Sequence, residues 1–166
     1  MTADASWWVA TPPRTHGAIG IVSIESGDLE RTLGDLGLPA IEVALWRLAD
    51  LLGVDRGVIA RYSATRADLM PHGGPLVTRK LTEALSARGV EHRAKPDPRS
   101  VYPEASSEIE ARMLATLARA ASPLAIDLLL DQPRRWAEAG EDTTELADGG
   151  VLRRLIEPPL VAAIGP

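Results

Sequence analysis

The pattern of the chain changes near residue 105. Before this point, short apolar runs alternate with turns that contain Pro or Gly, and several runs are rich in β-branched residues, which favour strands. After it, alanine and leucine dominate and the apolar positions follow helical spacing. No apolar run approaches the roughly 18 residues that a membrane-spanning helix needs. The change predicts an α+β fold, in which a small mixed sheet with two or three helices is followed by a helical segment.

The sequence predicts three parts: an α/β domain over residues 1–104, the start of a helical domain and a linker over 105–157, and a final strand over 158–166. In the first part, helices are predicted after the cap Ser26, to about Leu36, and from Pro75 to Gly89. In the second part, Ser107 and Glu110 form a capping box and Pro133 must kink or break a helix. Strands are predicted at 6–10, 17–24, 58–63 and 90–94, and a loop at 95–103.

Residues 41–52 allow two interpretations. Ile41, Leu45, Leu48 and Leu52 lie at helical spacing, which favours a helix. The alternating pattern over Val43 to Leu48 also fits a strand, and the family resemblance given below favours the strand, which we adopt against the periodicity.

Composition excludes several kinds of site. Cysteine is absent, so disulfides, thiolate zinc sites, iron–sulfur clusters and cysteine nucleophiles are excluded. The only histidines are His16, His72 and His92, so a multi-histidine metal site is not expected. The net charge of −5 lies in residues 101–166, and no stretch is basic enough to indicate a nucleic-acid binder by composition.

The turn His72-Gly73-Gly74-Pro75 lies between a strand and a helix. Its two glycines would let backbone N–H groups approach a ligand, and the following helix start favours anions. The alternative is an ordinary strand-to-helix turn in which His72 caps the helix.

A second turn, Ala10 to Gly17, contains two prolines followed by Arg14 and His16. These two side chains could present cationic groups to a carboxylate ligand. The alternative is a solvent-exposed β-turn with no ligand.

The end of the sequence, Leu160 to Gly165, is an apolar run that reaches a glycine, as a strand does before a phosphate-binding P-loop. The Lys and Ser/Thr of such a loop are missing, and the alternative is a strand that closes the domain's own sheet. No Ser-His-Asp set, metal spacing or carboxylate pair is present, so no catalytic residue is predicted. The tryptophans Trp7, Trp8, Trp46 and Trp136 are interpreted as core or interface anchors.

Taken in order, these motifs resemble the N-terminal part of the TrmE family of tRNA-modification GTPases. The resemblance is carried by Ala10-Thr11-Pro12-Pro13, Gly17 to Val22, His72-Gly73-Gly74-Pro75, the acidic Ala-rich helices after residue 105, and Pro159 to Pro166. It implies a cytoplasmic protein whose α/β domain forms a homodimer and binds a one-carbon tetrahydrofolate. Arg14, His16, His72, Gly73 and Gly74 would then contact the folate.

In the full-length family, a GTP- and Mg²⁺-binding domain acts with a flavoprotein on the wobble uridine of certain tRNAs. In this chain only Gly165 would belong to the nucleotide site, at the start of the P-loop. The chain lacks the family's Asn-Ser-Tyr-Thr-Gly-Glu-Asp stretch, in whose place Ala64 to Pro71 stand, so weak folate binding is expected. The alternatives are a scaffold of the same fold without a ligand, and a free-standing folate-dependent protein of the aminomethyltransferase type.

Overall fold

The computed structural model describes residues 4–11, 17–120 and 122–139. It divides into two compact units, residues 1–95 and 96–166. The first contains a mixed sheet with helices and the second is helical, so the predicted α+β fold class is confirmed.

The sheet of the first unit has six strands in the spatial order β3-β4-β5-β2-β1-β6. Neighbouring strands are antiparallel except β1 and β6, which are parallel, and β3 and β6 are therefore the two edges. The strands are β1 (Ser6–Val9), β2 (Val22–Glu25), β3 (Trp46–Leu51), β4 (Asp55–Arg61), β5 (Arg66–Met70) and β6 (Glu91–His92).

Two helices of this unit, α1 (Leu29–Asp35) and α2 (Pro75–Ala87), supply apolar side chains to one core. Leu29 and Leu33 of α1 and Leu81 and Leu85 of α2 are buried with residues from every strand but β6. The predicted cap of α1 is wrong by two residues, because Asp28 accepts the hydrogen bond from the N–H of Arg31 at 3.1 Å. Ser26 instead accepts from the N–H of Asp28 and supports the turn that leads into the helix.

The strand interpretation of residues 41–52 is confirmed for Trp46–Leu51. Cross-strand pairing with β4, from Trp46 opposite Ala60 to Leu51 opposite Asp55, overrides the helical spacing of the leucines. Ala44, before the strand, has a φ of +65°, a left-handed conformation that no continuous strand or helix contains.

Neighbouring strand residues point to opposite faces of a sheet, and the two adjacent tryptophans of β1 follow this rule. Trp7 joins the helix-covered core, and Trp8 lies outside that cluster, yet both are buried, at 8% and 3% exposure. The interpretation of these two tryptophans as core anchors therefore fits their burial. The tryptophan that is exposed in this unit is Trp46, at 71%.

The second unit contains four helices among its described residues: α3 (Pro98–Val101), α4 (Glu108–Leu117), α5 (Pro123–Leu130) and α6 (Gln132–Ala139). The predicted loop at 95–103 is wrong where Asp97 caps α3. Ser107 caps α4 as predicted, although Glu110 bonds back to the N–H of Ser106. No helix of the described residues is long and apolar enough to cross a membrane.

Candidate functional site

The residues that follow the Pro-Pro turn lie beside the His-Gly-Gly turn. The segment that follows the Pro-Pro turn, residues 17–20, runs alongside the turn at residues 71–73. The N–H of Gly20 donates to the carbonyl of Pro71 at 3.0 Å, and the N–H of Gly73 donates to the carbonyl of Ala18 at 2.7 Å. We name this arrangement, residues 17–20 with 71–74, the turn pair.

The two segments of the turn pair approach each other most closely at Gly73. A Cβ atom at this position would overlap the carbonyl oxygen of Gly17 and lie 2.7 and 2.8 Å from the carbonyl carbons of Gly17 and Ala18. Gly74 differs, because a Cβ atom there would have no heavy atom within 4 Å and its φ of 163° is extended backbone. Gly73 is thus needed for the close approach of two chain segments, whereas the space beside Gly74 is open.

His72 does not cap α2. Its Nδ1 atom lies 3.1 and 3.0 Å from the two carboxylate oxygens of Asp55, and its backbone N–H donates to Oδ2 of Asp55 at 2.7 Å. An ionised carboxylate only accepts hydrogen bonds, so Nδ1 carries a proton, and in the neutral form of the ring Nε2 is the acceptor. The side chain is 74% exposed, and the imidazole is therefore an oriented acceptor on the surface.

The carboxyl group of Asp55 is held in its ionised form. Its pKa is lowered from the ordinary value of 3.8, chiefly by the hydrogen bond from the backbone N–H of His72. The imidazole and the backbone N–H of Arg56, which donates at 2.8 Å, act in the same direction, while burial acts against them. A stable carboxylate keeps the His72 ring in one orientation.

The start of α2 completes the turn pair. Gly74 is the cap residue and offers no side chain to the helix, and Pro75 occupies the first helical position. The first-turn N–H groups of a helix have no partner within the helix and carry partial positive charge. The turn pair therefore combines an imidazole acceptor with the positive end of a 13-residue helix.

Three of the predicted site residues, His72, Gly73 and Gly74, lie together in this turn pair. Arg14, His16 and Gly165 lie outside the described residues, as does the predicted strand at 158–166. Sequence reasoning missed Asp55 as a partner of His72. Its contact with His72 spans 17 positions, and no local spacing could have indicated it.

A second polar cluster of the first unit is structural. Ser23 donates to Asp68 at 2.7 Å inside the sheet, and Arg66 forms an ion pair with the same carboxylate at 3.3 Å. The guanidinium group of Arg66 lies 5.6 Å from the ring centre of Trp8 and 5.3 Å from that of Tyr62. These contacts neutralise a buried carboxylate, and the Ser23 hydroxyl beside it is fully buried, so no substrate can reach the pair.

The helical unit has an open groove of about 380 Å³. Ile109 and Met113 of α4 and Trp136 of α6 supply apolar surface, and the charged lining residues Glu108 and Arg112 pair with each other. Across the residues that the structure describes, no group of His, Asp or Glu side chains could hold a metal ion.

No known protein-family model matches this chain, and a search of curated proteins also gives no match.

Proposed function

We propose that this chain is the ligand-binding and dimerising module of a TrmE-like tRNA-modification GTPase, with no catalytic group of its own. The observation that supports this most is the turn pair, because the resemblance implies a ligand between the Pro-Pro turn and the His-Gly-Gly turn. Gly73 packs on Gly17, and the two motif regions are adjacent although more than fifty residues of sequence separate them.

The ligand proposed is a one-carbon tetrahydrofolate, and the exposed groups of the turn pair suit its chemistry. Nε2 of His72 can accept a hydrogen bond from an N–H group of the pterin. The positive end of α2 suits a carboxylate of the glutamate tail, and Arg14 adds a planar fork for a second one. The open space beside Gly74 leaves room for a ligand atom near the backbone.

Titration of 5-formyltetrahydrofolate by calorimetry tests the ligand. We expect weak binding by the wild type and at least a tenfold further loss in Arg14→Ala and in His72→Ala, since a charge-assisted hydrogen bond contributes about 1.5–3 kcal/mol. Arg47→Ala and His92→Ala are the matched controls, because both residues are exposed and lie outside the turn pair. Absent binding would favour the scaffold alternative, and equal binding by all variants would place the ligand elsewhere.

The GTPase part of the proposal has its own test. This chain lacks the P-loop Lys and Ser/Thr that hold phosphates and Mg²⁺, so we expect it neither to bind nor to hydrolyse GTP. Micromolar GTP binding by calorimetry would contradict this. A gene that continues past Pro166 with Asn-Val-Gly-Lys-Ser or a similar P-loop would support the family, and any other continuation would count against it.

In the family assignment the protein is cytoplasmic and acts with a flavoprotein on tRNA.

A further inference from the structure

The first unit carries an exposed apolar surface at its β3 edge. We name it the β3 patch: Val43 is 49% exposed, Leu45 53%, Trp46 71%, Leu48 53% and Tyr62 51%. One exposed leucine is ordinary on a protein surface, whereas several large apolar side chains on one hairpin indicate an interaction site.

The backbone at this edge is also available for pairing. The N–H of Arg61 donates to the carbonyl of Leu45, so residues at every second position from Leu45 direct their hydrogen-bonding groups toward β4. The intervening residues Trp46, Leu48 and Asp50 direct theirs outward. Among the described residues, β4 is the single strand neighbour of β3.

We propose that β3 pairs antiparallel with β3 of a second copy of this chain, with Leu48 opposite Leu48 at the twofold axis. This pairing specifies which surface forms the dimer proposed above. It depends on that proposal only in assuming that the chain associates with itself. It joins the two sheets into one and covers Trp46 and Leu48 of both copies.

The register follows from the outward groups and the charges. A twofold axis at Leu48 matches all three outward residues, since Trp46 lies opposite Asp50 of the second copy and Leu48 opposite itself. The indole N–H of Trp46 can then donate to that carboxylate. An axis at Arg47 would place two like charges opposite each other, which is destabilising. An axis at Ala49 would place Trp46 beyond the end of the facing strand.

The surface is large enough for a dimer. The β3 patch offers on the order of 500 Å² of exposed side-chain surface per copy, so a pair that covered the whole patch would bury about 1,000 Å², the lower bound of a specific interface. Leu76 on α2 is also 53% exposed, but it lies outside the β3 patch. A second copy would also supply hydrogen-bond partners for the outward N–H and C=O groups of β3, which an apolar ligand could not do.

The absence of cysteine makes a sharp test possible in the full chain. Opposed residues of a hydrogen-bonded antiparallel pair have Cα atoms about 5.5 Å apart, which a disulfide can span. We expect Leu48→Cys to form an intermolecular disulfide at least about fivefold faster than Arg47→Cys, Ala49→Cys or the remote control Leu76→Cys. Arg47, Leu48 and Leu76 are exposed, whereas Ala49 is partly buried against the core, and circular dichroism checks that each variant is folded.

Light scattering at high micromolar concentration separates the possible outcomes. A dimer in which Leu48→Cys reacts fastest supports the proposal, and Leu48→Lys should then be monomeric, unlike Leu76→Lys. A dimer with fastest reaction at Arg47→Cys or Ala49→Cys overturns the register, and one with no preference overturns the surface while leaving a dimer in place. A monomer overturns the pairing altogether. Folate titration of Leu48→Lys remains a separate test of the ligand, because Leu48 lies outside the turn pair.

Discussion

The two adjacent glycines of the turn pair should respond very differently to the same change. Gly73→Ala introduces a Cβ atom that overlaps the Gly17 carbonyl oxygen, whereas Gly74→Ala introduces one into open space. Non-bonded Cβ contacts essentially never fall below 3.0 Å, so the segments joined by Gly73 and Ala18 must separate in the first variant. Their hydrogen bond, now 2.7 Å long, would then be broken.

The size of the effect follows from these contacts. Overpacking costs about 1–3 kcal/mol and each lost backbone hydrogen bond about 1 kcal/mol, while the smaller entropy of the unfolded alanine chain returns about 0.4–1 kcal/mol. We expect Gly73→Ala to lower the free energy of unfolding by about 2–3 kcal/mol. In Gly74→Ala, alanine is a somewhat poorer helix cap than glycine, but the unfolded chain has the same smaller entropy. The free energy of unfolding should therefore change by less than about 1 kcal/mol.

Urea unfolding followed by tryptophan fluorescence measures both variants. With a slope of about 1–2 kcal/mol per molar urea, Gly73→Ala should shift the midpoint by about 1–3 M and Gly74→Ala by less than half of that. Amide exchange at Gly73 and Gly20 should accelerate in Gly73→Ala alone, since both N–H groups are bonded across the turn pair. Equal midpoint shifts for the two variants would refute the reasoning, as would unchanged exchange at these amides.

Other perturbations test single features of the first unit by thermal or urea unfolding. Gly57→Ala should lower the free energy of unfolding by about 2 kcal/mol, because its Cβ atom would overlap the carbonyl oxygen of Met70; an unchanged midpoint would contradict this. Ala44→Gly should raise it by about 0.5 kcal/mol by relieving a left-handed φ of +65°, and a loss of stability would show that no strain is stored there. Asp55→Asn should lower it by about 1 kcal/mol at pH 7. Because the folded-state pKa of Asp55 is lowered, its stabilising contribution is complete above about pH 4 and is lost as the pH falls through that folded-state pKa, so the difference between the two proteins should shrink on acidification below about pH 4; a pH-independent difference would contradict the role of its charge.

The sequence by itself determined the features that depend on near neighbours. Gly74-Pro75 and Ser107 mark helix starts through their own backbone and side-chain preferences. Pro133 lies in the first turn of α6, where its missing N–H group is not needed, shortly after α5 has ended at Leu130. The switch from β-branched runs to Ala- and Leu-rich segments was enough to predict the α+β class. Such signals act within about four residues, so they are present in the sequence before any packing.

Only the tertiary structure decided which distant residues meet. The contact of Asp55 with His72 and the approach of Gly73 to Gly17 arise from the order of strands in the sheet, and no local pattern encodes that order. The same holds for the tryptophans, which are alike in sequence terms. Trp7 is buried and Trp46 is exposed because the first lies on an interior strand under the helices and the second on an edge strand. Burial is a property of the whole sheet and its cover, and it is fixed only when the chain has folded.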